Sequence, residues 1–112
     1  MSKHMQLTVT VRPFYEGEMA GVYPKLIRSL GQADLRLLNK NPSLYEIAGQ
    51  LDSLLYNSDG TSLRDILVRH GDKIRNTYKM IEKNIADRKL AQADQLLYAL
   101  EDIFDEIESD LD

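Results

Sequence analysis

Between Gln6 and Arg12 apolar and polar residues alternate without exception. Leu7, Val9 and Val11 fall on one face, and Gln6, Thr8, Thr10 and Arg12 on the other. Strand side chains repeat every second residue, so the segment is expected to form a half-buried β-strand. Pro13 should end it, because proline has no N–H to give to a ladder. A strand without a neighbour leaves its backbone groups unsatisfied, and no later segment alternates comparably. Two pairings stay open. One is a short hairpin through Tyr15-Glu16-Gly17 with Glu18 to Tyr23; the other is pairing with a second copy or with an extended partner peptide.

From Pro24 onward the period changes to that of a helix. The first helix is expected over Pro24 to Leu38, with Pro24 at the first helical position and Gly31 a candidate kink. Asn41 then reads as an N-cap with Pro42 at the next position. The second helix carries Leu44, Ile47, Ala48, Leu51, Leu54 and Leu55 on one face and stops at the turn Asn57-Ser58-Asp59-Gly60. Thr61 or Ser62 caps the third, whose apolar face runs Leu63, Ile66, Leu67, His70, Ile74, Tyr78, Ile81 and Ile85. The phase carries through Gly71, so one long helix to about Ala86 is expected.

The step of five from Ile85 to Leu90 breaks the phase and marks a turn at residues 87–89. Beyond it, Leu90, Ala93, Leu97, Leu100, Phe104, Ile107 and Leu111 alternate steps of three and four, the spacing of a coiled-coil seam. The expected fold is therefore mostly α: three to four helices with a long C-terminal antiparallel helical hairpin and a short N-terminal β-strand. A single helical domain over residues 1–112 is expected. Residues 1–4 read as disordered or tag-like, and residues 108–112 as a frayed acidic tail, because negative charge at a helix C-terminus opposes the helix dipole.

Composition adds the charge distribution. The chain of 112 residues has 14 Lys+Arg against 18 Asp+Glu, a formal net charge of −4. Seven of the acids, and no base, lie in residues 101–112, so the preceding hundred residues carry a net +3. The bases concentrate between Arg64 and Lys89, where eight of them face four acids. In an antiparallel hairpin, Glu101, Asp105 or Glu108 would come beside Arg64 and Arg69 as surface pairs. Alternatively, the acidic surface faces a basic partner, or the basic one an acidic partner.

There is no Cys and there are only two His, which excludes disulfides, thiolate metal sites, cysteine nucleophiles and histidine-rich metal centres. His70 lies in the apolar stripe between Leu67 and Ile74, which gives it a structural role. A calcium loop around Asn57-Ser58-Asp59-Gly60 fails, because its first and twelfth positions would be Leu55 and Ile66, neither of which can coordinate. No phosphate-binding loop, dinucleotide fingerprint or serine elbow is present. No enzyme activity, cofactor, metal or small-molecule substrate is expected. No apolar run approaches the roughly 20 residues needed to cross a bilayer, and with no signal-peptide pattern a cytoplasmic location is expected.

These features together lead to the expectation of a non-enzymatic protein–protein interaction module: a small adaptor, chaperone or regulator, acting as a homodimer or on another protein. The candidate contact residues are Leu7, Val9 and Val11 on the strand, Arg69, Lys73 and Arg75 on the third helix, and Tyr98, Glu101, Asp105 and Glu108 on the fourth. The alternative is a nucleic-acid-associated regulator that uses the basic third helix.

Overall fold

A computed structural model describes residues 9–11, 19–33, 36 and 42–111. The chain is mostly α-helical, and its described helices are α1 (Met19–Val22), α2 (Pro24–Ala33), α3 (Leu44–Gly49), α4 (Leu51–Asn57), α5 (Ser62–Ala86) and α6 (Leu90–Asp110). Among the described residues six helical segments stand where three to four helices were expected. No strand occurs among the described residues. Thr10 is exposed while Val9 and Val11 are half-buried, so the alternation survives there as burial without a ladder. Leu7 lies outside the described residues, as do residues 1–4 and most of the expected strand.

The long axis of the molecule is the α5–α6 hairpin. The 25 residues of α5 span about 38 Å at the helical rise of about 1.5 Å per residue. Thr61 caps it, its hydroxyl accepting from the Arg64 N–H. Gly60 precedes the cap at φ +80, a conformation that glycine adopts without the Cβ penalty. The helix passes through Gly71 unbroken. At its far end the Arg88 N–H donates to the Ile85 carbonyl and the Lys89 N–H to the Asn84 carbonyl. That pair of bonds is a Schellman cap. The left-handed position in it is filled by Arg88, at φ 60, where glycine is usual.

Two helix boundaries differ from the sequence reading. The cap of the second helical stretch is Ser43, not Asn41. Its hydroxyl accepts from the Glu46 N–H at 3.1 Å, and the Glu46 carboxylate accepts from the Ser43 N–H, a capping box. The stretch is also divided at Gln50, which lies between α3 and α4 with φ −100 and ψ 14. The apolar phase runs on across the division, so Leu44, Ile47, Ala48, Leu51 and Leu54 all reach one core. That core also takes Tyr23, Leu26 and Leu30 from the α2 region, Leu63, Ile66, Leu67, Ile74 and Ile81 on the α5 side, and Leu100, Ile103, Phe104, Ile107 and Leu111 at the α6 end. Contrary to the expected fraying, α6 continues to Asp110, and Leu111 is only 4% exposed.

Candidate interaction surface

The acidic end of α6 is built into the fold. A helix begins with N–H groups that have no intrahelical partner. In α2 the residue before the helix is Tyr23, whose side chain is not a capping one, and Pro24 has no N–H. The two remaining donors of the first turn, Lys25 N and Leu26 N, both bind the Glu108 carboxylate, at 2.8 and 2.7 Å. Glu108 therefore caps α2 from a distant helix, and its charge lies where the helix dipole favours it. One turn earlier on α6, Asp105 accepts from the Tyr23 hydroxyl at 2.9 Å. On the side toward α5, His70 lies 3.1 Å from Asp110 and 3.8 Å from Glu106. Its ring is only 12% exposed, in keeping with a structural histidine.

The expected pairs with Arg64 and Arg69 are not those that form. Arg64 lies 3.6 Å from Asp59 instead. Arg75 donates to Asp52 of α4 at 3.0 Å, which ties the basic helix to its neighbour. Tyr78, three residues further on, stacks on Tyr45 of α3 with ring centroids 4.7 Å apart. Its ring also lies close over Gly49, where a Cβ would approach it to 3.1 Å. Burial pushes the Tyr45 hydroxyl well above the usual phenol range, helped by the neighbouring Tyr78 hydroxyl and by the charge of Glu82.

Exposed side chains occur off the hairpin, with Tyr56 of α4 84% exposed, and along it. On α6, Asp94, Glu101 and Asp102 are exposed and make no ion pair among the described residues. The Glu101 carboxyl is raised above its ordinary value, first by partial burial and then by the charges of Asp105, Asp102 and Asp94. The same helix contains no base along its whole length. Tyr98 stands among these acids at 63% exposed, and Leu90 near the turn is 48% exposed, although the seam pattern assigned Leu90 to the buried face. On α5, Arg69, Lys73, Lys79 and Lys83 are exposed without an ion pair among the described residues, and Met80 beside them is 52% exposed.

Of the candidate residues, Tyr98, Glu101, Arg69 and Lys73 thus face solvent, whereas Arg75, Asp105 and Glu108 bond within the chain. Met80, Leu90 and Asp102 join the surface without having been singled out. Met80 and Asp102 lie off the apolar stripes, which is the signal by which they could have been found.

A shallow polar cleft lies between α2 and the start of α5, lined by Ser29, Gln32, Asn57, Ser58, Thr61 and Ser62 among others. Its Ser58 hydroxyl donates to the Leu54 carbonyl and its Thr61 hydroxyl to the Ser58 carbonyl, so these groups serve the α4–α5 turn. No cluster of three metal-ligating side chains occurs among the described residues. No described helix is long and apolar enough to cross a membrane. No protein-family model matches the chain, and no curated protein or solved structure gives a significant match.

Proposed function

We propose that the protein is a cytoplasmic, non-enzymatic protein-interaction module that works through the solvent face of the α5–α6 hairpin. The observation that carries this reading is the segregation of unspent charge on that hairpin. Asp94, Glu101 and Asp102 lie around exposed Tyr98 on a helix with no base, while on α5 Arg69, Lys73, Lys79 and Lys83 outnumber the exposed acids Asp65, Asp72 and Glu82, none of them in an ion pair among the described residues. Aromatic residues within a charged surround are the usual anchors of protein contacts, and complementary charge speeds encounter and selects partners.

Site-specific photo-crosslinking tests the reading. A photoreactive phenylalanine analogue in place of Tyr98 should give discrete protein adducts in cells, and the same group in place of Tyr56, on the short helix α4, should not. Equal adducts at both positions, or none at Tyr98, would refute the hairpin as the working surface. The nucleic-acid alternative is decided by fluorescence anisotropy with a generic duplex. Micromolar binding that weakens steeply with salt and is lost in Arg69→Glu with Lys73→Glu would replace the proposal.

A further inference from the structure

The two faces of the hairpin are not equivalent. Arg75 and Tyr78 of α5 meet Asp52 and Tyr45 of α4 and α3, and Glu108 and Asp105 of α6 hold α2, so these contacts mark the face that the short helices cover. At about 100° per residue, the opposite face of α5 presents Arg69, Lys73 and Met80 with half-buried Thr77. That of α6 presents Asp102 and Glu106 with half-buried Leu96 and Ala99. Ile66 and Ile103 lie buried near the same face. With exposed Gln95 and half-buried Asn84 on it, it is thus a strip of apolar, small and amide side chains with a basic margin on one helix and an acidic margin on the other.

We infer that this open face docks against the same face of a second copy of the chain, α5 of each copy lying over α6 of the other. The inference goes beyond the Tyr98 surface to the open face of the same hairpin and names the partner of that face. Charge complementarity selects the arrangement. In each chain His70 lies beside Glu106 and Asp110, which fixes the register of the two antiparallel helices and puts Lys73 level with the stretch from Asp102 to Glu106. A two-fold axis running along the hairpin preserves that level. It sets Arg69 and Lys73 of one copy opposite Asp102 and Glu106 of the other, and the symmetry makes the contact twice. An axis running across the hairpin would stack α5 on α5 and α6 on α6, base against base and acid against acid. Because α6 contains no base, that second arrangement has no compensating pairs along α6. The correct arrangement also removes Met80, Thr77, Leu96 and Ala99 from water at the centre, with the charges at the rim, the usual anatomy of a protein interface.

The test is a charge swap in the full chain. One variant carries Arg69→Glu with Lys73→Glu, the other Asp102→Lys with Glu106→Lys, and circular dichroism melts establish that each folds. Sedimentation equilibrium at low salt should show the unaltered chain self-associating, and each variant alone should have its dimer dissociation constant raised by about tenfold or more. An equimolar mixture of the two variants should recover association as a heterodimer, seen by native mass spectrometry, because every opposed pair is then again of opposite sign. A monomeric unaltered chain, or two folded variants that stay monomeric when mixed, would overturn the inference. If Tyr98 crosslinks to other proteins persist in that case, the interaction reading stands without the dimer; if they are absent as well, both fall.

Discussion

In the half of α6 that lies beside α2, four carboxylates have partners: Asp105 holds the Tyr23 hydroxyl, Glu108 the first N–H groups of α2, and Glu106 and Asp110 flank His70. Nearer the turn, Asp94, Glu101 and Asp102 have no ion pair among the described residues, and the Glu101 carboxyl is raised by partial burial and by its acidic neighbours. The same residue types on one helix therefore stabilise the fold at one end and strain it slightly at the other. What separates them is whether another element offers N–H or O–H donors within reach.

The contrast can be broken by substitution. Glu108→Ala has the largest expected effect, about 2 kcal/mol of lost stability, because two charge-assisted bonds vanish and two helix-end donors lose their acceptor. Glu101→Ala should change stability by less than about 0.5 kcal/mol. Urea denaturation of both variants measures the difference, and equal losses would erase the distinction between the two halves. Tyr23→Phe should cost about 1 kcal/mol by removing the hydroxyl that Asp105 accepts. A double-mutant cycle with Asp105→Ala should then recover most of that cost as coupling; strictly additive effects would detach Asp105 from the fold.

The smallest effect concerns pH. The fold raises the Glu101 carboxyl above its ordinary value of 4.5, so the folded state binds that proton more tightly than the unfolded one. Its influence on stability is therefore most favourable below about pH 4.5. It declines as pH rises through the raised folded value and stays lower above it. Glu101→Gln should match the unaltered protein at pH 3 and exceed it at pH 7 by a few tenths of a kcal/mol, about the scale of a solvent-screened surface charge. Thermal melts at the two pH values would show it, and a loss of stability at pH 7 would indicate an unrecognised partner for the carboxylate.

The long elements were legible because their signals are local and repeated. The unbroken phase through Gly71, the positive φ at Gly60 and the five-residue step before Leu90 each correspond to a feature of the α5–α6 hairpin. The Ser43 cap was also written locally, since Ser43 and Glu46 stand three apart in the capping-box pattern. Asn41 before Pro42 offered a competing start, and residue preference alone does not rank the two. The division at Gln50 leaves no trace in an apolar phase that continues across it. Least legible were the uses of Asp105 and Glu108, whose partners at Tyr23 and Leu26 are 82 positions away. Periodicity reports the face on which a residue lies and is silent about what is brought to that face. The seam likewise assigned Leu90 to the core, although at the start of α6 it stays half in solvent.

The cap that Glu108 supplies to α2 also orders events in time. A Ser or Asp cap is complete as soon as its own turn has been made, whereas the first donors of α2 wait for a residue synthesised 82 positions later. Until translation has passed Glu108, α2 has its apolar face but an unfinished N-terminus, and the contact that closes it spans one of the longest loops the chain can form. The N-terminus of α2 is thus complete only once α6 has docked beside it, although α2 is made well before α6.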